Sequence, residues 1–94
     1  MKISEINEGS RKVSIEATVT SIEQPREVNT KFGRTQVANA NLEDDTGNIT
    51  LVLWGDEINK IKEGDRIKIE NGYVRVWNEM LQLSVGKFGK MEVI

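Results

Sequence analysis

Over residues 13–20 every second side chain is aliphatic (Val13, Ile15, Ala17, Val19), and those between are Ser14, Glu16, Thr18 and Thr20. A period of two puts the aliphatic set on one face of an extended strand and the polar set on the other. A slip of one residue would turn the whole aliphatic set to water, so the pattern also fixes register. It returns over residues 35–43 with Ala38, Ala40 and Leu42, and over 49–54 with Ile49, Leu51 and Leu53. It appears again from residue 66 with Ile67 and Ile69, and finally with Leu81, Leu83 and Val85. Short strands with one apolar face each must close around a shared core.

The connections are equally informative. Residues 24–34 are polar, hold the only proline (Pro25) and end on Gly33-Arg34, so they read as a long loop. Asp44-Asp45-Thr46-Gly47-Asn48 reads as a tight hairpin turn. Residues 56–64 start with Asp56 and Glu57, end with lysines and close on Gly64, the charge order and cap of a short helix. Beyond Ile69 the inward pair becomes Val74 and Val76, which requires one extra residue near Asn71-Gly72, a bulge. A short turn near Asn78-Glu79 leads to the last strand, and Ile3 and Ile6 close one end of the core as a helical turn. The expected fold is therefore all-β: a five-stranded OB-fold Greek-key barrel with one helix between strands 3 and 4. An SH3-like barrel is the main rival and usually lacks that helix.

With 94 residues the chain suits a single domain, 1–94, with its core over about 3–86 and a short extension at 87–94. It has no cysteine and no histidine. Disulfides, thiolate metal sites and the commonest nucleophile–base pairs are thereby excluded, and a reducing, intracellular setting such as the cytoplasm or nucleoid fits. No cofactor, metal site or enzymatic activity is expected. Asp44 and Asp45 lack the ligand spacing of a calcium loop, and no apolar run is long enough to span a membrane.

Five aromatics are present, and the aliphatic alternation leaves the core without need of them. Trp54 has the opposite parity to Leu53, so its ring belongs on the outer face. If Val74 and Val76 face inward, Tyr73, Arg75 and Trp77 share that outer face, and Phe32 lies on the long loop. Arg26, Lys31 and Arg34 punctuate that loop, and Lys68 could reach the same side. Aromatics on one face with interleaved cations suit single-stranded nucleic acid: rings stack on bases and cations follow the phosphates. A protein-binding patch is the alternative, because aromatics also anchor interfaces. The net charge of −2 makes the distribution of cations matter more than their sum. Glu43, Asp44, Asp45, Asp56 and Glu57 are expected away from the groove.

The segment LEDDTGNITLVLWG, residues 42–55, resembles the signature of replication protein A-type OB domains: an Asp-x-Thr-Gly turn, an alternating strand and a Trp. Gly64-Asp65 with Ile67-Lys68-Ile69-Glu70-Asn71-Gly72-Tyr73 resembles the next block of that family, and Gln82-Leu83-Ser84-Val85-Gly86 is similar to the last strand of crenarchaeal single-OB single-stranded DNA-binding proteins. The resemblance runs from about residue 3 to 86. It implies binding of single-stranded DNA in replication, recombination and repair, with base stacking at Trp54, Tyr73 and Trp77 and a clamp from the loop at 25–34. It also implies partners among other OB domains or replication and repair proteins. No flexible acidic or Gly-Arg-rich tail and no zinc motif accompanies it, which fits one module of a longer chain. An RNA- or tRNA-binding OB module and a protein-interaction OB module are the alternative readings.

Overall fold

The computed structural model describes residues 1–86 and 89–94, and their side chains apart from that of Trp77. Among the described residues there are seven strands: β1 (Val13–Ile22), β2 (Arg26–Thr30), β3 (Gly33–Asp44), β4 (Gly47–Trp54), β5 (Arg66–Trp77), β6 (Met80–Ser84) and β7 (Lys90–Val93). Strand β1 pairs with both β3 and β5, so the path β1-β3-β4-β6-β5 returns to its start. Four of its five joints are antiparallel, and β4 runs parallel to β6. These five strands are the five that alternation marks out.

The two further strands correct the sequence expectation. Residues 26–30, expected as loop, form β2 and pair with β3 from Arg26↔Val37 to Thr30↔Gly33. Only Val28 of β2 is even half-buried. A ribbon wetted on both faces has no apolar period, so alternation could not reveal it. Strand β7, expected as a plain extension, lies antiparallel on the first half of β5.

The expected helix is also corrected. Residues Gly55–Asn59 form a 3-10 turn and nothing longer. The amide of Trp54 donates to Glu57 Oε1 at 2.9 Å, which caps the turn's start. The chain is then claimed by β1: Gly64 donates its amide to the Val19 carbonyl at 2.7 Å, and Val19 donates to the Asp65 carbonyl at 2.8 Å. Those two bonds outbid further helical ones, and Gly64 at φ 93 makes the turn they need.

The core is aliphatic throughout its described members, with Leu42, Leu51, Leu53, Ile67, Ile69 and Leu83 sealed from solvent. The expected bulge is present: Val13 opposes Gly72 and Ile15 opposes Ile69, so β5 carries one extra residue, and Asn71 there takes φ 56. Val74 accordingly packs against the core. Val76 does not: it is 49% exposed, because β5 has by then left the core as one arm of the β5–β6 hairpin.

The Asp44 turn closes without any left-handed residue. Instead the Asp44 carboxylate accepts from the amides of Thr46 (2.7 Å) and Gly47 (3.1 Å) and the Thr46 hydroxyl (2.6 Å). Its second oxygen accepts the Ile3 amide at 2.8 Å, docking a 3-10 turn at Ile3–Glu5 under the core. Ile3 and Ile6 are both buried there, as their spacing suggests.

Candidate nucleic-acid interface

Register alone builds the outer face. Asn39 opposes Val52 and Asn41 opposes Thr50 across β3–β4. Val52 then aligns with Ser84 and Thr50 with Gln82 across β4–β6. Ser84 opposes Tyr73, Gln82 opposes Arg75, and Met80 opposes Trp77 across β6–β5. Two rows therefore cross four strands on one face: Asn39-Val52-Ser84-Tyr73 and Asn41-Thr50-Gln82-Arg75. One step along β4 from Val52, Trp54 lies opposite Val37.

All the residues of these two rows but Tyr73 floor a cavity of about 630 Å³. Trp54, Arg26 and Arg75 line it, and Glu23 is the one acidic group among its described lining residues. Trp54 is 38% exposed and Tyr73 41%, so each ring presents surface outward while its strand is packed beneath. The floor is rich in neutral hydrogen-bonding groups, with Asn39, Asn41, Asn78 and Gln82 all lining it. Asn41 is pre-oriented: its Nδ2 donates to Thr20 Oγ1 at 2.6 Å and Asn48 Oδ1 at 3.0 Å. Such a surface offers π-faces for bases, amides for base edges and two guanidinium groups for phosphates.

The expected site residues divide into groups. Trp54, Arg26 and Arg75 come together in the groove. Tyr73 shares their face, but its ring rests on Gly86 and borders a neighbouring cavity. Trp77 ends β5 opposite Met80, and its side chain lies outside the described residues. Phe32 stands at the tip of the β2–β3 hairpin, 90% exposed, with Lys31 Nζ 5.3 Å from its ring centroid. Arg34, on the same hairpin, faces Glu27 at 3.6 Å, a loose surface pair.

Lys68 is placed elsewhere. It opposes Glu16 on β1 and Glu92 on β7, and its Nζ lies 3.2 Å from Glu70. The hydrogen bond to Glu70 holds the Lys68 ammonium above its ordinary pKa. It is a lysine ringed by carboxylates on a surface away from the groove.

Alternation also contained residues that the reading overlooked. Asn39 and Asn41 have the parity of Val37, opposite to the buried Ala38 and Ala40, and Gln82 sits between the inward Leu81 and Leu83. Glu23, the acid that does reach the groove, had no signal, since it lies in the connection after β1. Arg11 and Lys12 precede β1 and meet Tyr73 only through the fold.

Comparison with known proteins agrees with this geometry. The family described as OB-fold nucleic acid binding domain matches residues 13–91. The single-stranded DNA binding protein Ssb of Saccharolobus solfataricus is 30% identical over 90 residues, 96% of this chain and 61% of that protein. Replication factor A of Methanothermobacter thermautotrophicus is 34% identical over 91 residues, 93% of this chain and 12% of that protein. The chain thus spans less than two thirds of the length of either relative. The solved second OB-fold domain of replication protein A from Methanococcus maripaludis aligns with a TM-score of 0.80 at 30% identity, over the whole of this chain and 93% of that domain. The chain belongs to the family of OB-fold nucleic acid binding domains, among relatives of the replication protein A and archaeal single-stranded DNA-binding type.

Proposed function

We propose that this domain binds single-stranded DNA in the groove across β3, β4, β6 and β5, with little sequence preference, as a module of DNA replication, recombination and repair. The supporting observation is the exposed ring of Trp54 beside Arg26 and Arg75 on an amide-rich floor. Trp54 and Tyr73 stack on bases, joined by Trp77 from the end of β5. Arg26 and Arg75 contact phosphate, and Lys31, Phe32 and Arg34 reach the strand from the hairpin.

Stacking outweighs charge in this arrangement. A stacked base contributes about 1–3 kcal/mol. A phosphate contact at physiological salt contributes about 0.8 kcal/mol through counterion release. Two rings therefore exceed two arginines, which reconciles an acidic chain with a polyanionic ligand.

Competition between a labelled oligo-dT and matched unlabelled DNA and RNA oligomers tests the ligand class. DNA displacing the probe at lower concentration than RNA supports the proposal. Preferential displacement by RNA would point to recognition of the 2′-hydroxyl and overturn it. Failure of the probe to bind at low salt would redirect the aromatic face to a protein partner.

A further inference from the structure

A second cavity of about 660 Å³ adjoins the groove. Tyr73 stands on the border: its cross-strand partner Ser84 lines the groove, while Tyr73 itself lines the second cavity. Arg11 and Lys12 also line it, with Glu8 the one acidic group among the described lining residues. Neither cation belongs to a salt bridge among the described residues, and both are exposed. A chain of net charge −2 thus keeps an excess of positive charge here.

The backbone around this cavity is unusual. Lys12 (φ 50), Asn71 (φ 56) and Gly86 (φ 73) all line it, and all three are left-handed. Lys12 immediately precedes Val13, which pairs with Gly72 beside Asn71, so the β1–β5 ladder is opened by its bulge at the cavity wall. A lysine in this conformation is uncommon and is held at a conformational cost. Arg11 and Lys12, successive in sequence, both line this one space.

We propose that this cavity is a second subsite that continues the groove, in which the nucleotide stacked on Tyr73 lays its phosphate on Arg11 and Lys12. The inference rests on the single-stranded DNA reading given above. Gly86 meets the Cδ1–Cε1 edge of the Tyr73 ring, and Tyr73 lines this cavity while its cross-strand partner Ser84 lines the groove, so the tyrosine joins the two stretches of the path. The subsite lengthens the bound strand and supplies cations that the groove itself is short of.

The test is a double variant, Arg11→Gln with Lys12→Asn, titrated with oligo-dT of two lengths: about 4 nucleotides, within the low end for one OB-fold, and about 8. Asn tolerates the left-handed conformation, so the backbone at 12 keeps its turn. An unchanged denaturation midpoint confirms the fold. The subsite predicts on the order of tenfold weaker binding of the longer oligomer at low salt, a salt slope smaller by about 1.4, and little change for the shorter one. Wild-type binding that the double variant reproduces at both lengths overturns the subsite and leaves the groove reading intact. A wild-type domain that binds neither oligomer overturns both.

Discussion

Tyr73 sets the Cδ1–Cε1 edge of its ring against Gly86: a Cβ placed on Gly86 would stand 2.7 Å from Cε1 and 2.8 Å from Cδ1. Side chains do not come that close, so any other residue at 86 must displace the ring. Gly86 also sits at φ 73, where an alanine is strained by about 1 kcal/mol or more. Gly86→Ala is expected to lower stability by about 1–2 kcal/mol, and oligo-dT affinity should fall by more than stability alone explains. Urea unfolding and fluorescence anisotropy measured on the same sample separate the two effects.

Asp44 should carry part of the acid sensitivity. Partial burial pushes its carboxyl pKa up, but hydrogen bonds from Thr46, Ile3 and Gly47 outweigh this and hold it at about 2, below the usual 3.8. A pKa lower in the folded state stabilises the fold above the unfolded value and ceases to do so as pH falls. The stability gap between wild type and Asp44→Asn should therefore be full at pH 7, about 1–3 kcal/mol, and shrink between about pH 4 and pH 2. Chemical denaturation across that range checks it. A gap independent of pH would mean that the charged carboxylate is not what holds the turn.

The β5–β6 turn is open to improvement. Trp77 pairs with Met80, and both intervening residues are left-handed, Asn78 at φ 50 and Glu79 at φ 65. Two-residue hairpins of this kind favour Asn-Gly. Glu79→Gly should raise stability by about 0.5–1 kcal/mol, read as an upward shift in melting temperature.

Much of this fold was legible because a half-buried strand shows itself by alternation. Val13 to Val19, Ile49 to Leu53 and Leu81 to Val85 found their strands, and the parity change after Ile69 located the bulge at Asn71. Arg26 to Thr30 stayed hidden because both faces of that ribbon meet water. The expected helix at 56–64 failed for a non-local reason: Val19, some 45 residues earlier, takes the hydrogen bonds at Gly64 and Asp65. Of the site, parity placed Trp54 and Arg75, whereas Arg11 and Lys12 meet Tyr73 only through the closure of β1 on β5. Lys68 had a legible strand but not its neighbours: Glu16 and Glu92 come from two other strands.

Salt dependence distinguishes stacking from charge. Arg26 and Arg75 in the groove, Lys31 and Arg34 on the β2–β3 hairpin, and Arg11 and Lys12 beyond Tyr73 give six candidate phosphate contacts. At about 0.7 per contact the slope of log affinity against log salt should lie between about −1.4, for the two groove arginines alone, and about −4.2, for all six. A slope beyond about −5 would mean that charge carries the binding and that the aromatic face has been misjudged.

The most direct test of the central claim is a titration of intrinsic tryptophan fluorescence with unstructured oligo-dT, on the wild type, Trp54→Ala and Trp77→Ala. Stacking predicts saturable quenching in the wild type and a loss of affinity in Trp54→Ala of about 5- to 160-fold, for about 1–3 kcal/mol per stacked base, with the fold intact. Trp77→Ala should weaken binding as well. A flat wild-type titration at low salt, or an unchanged affinity in Trp54→Ala, would contradict the account.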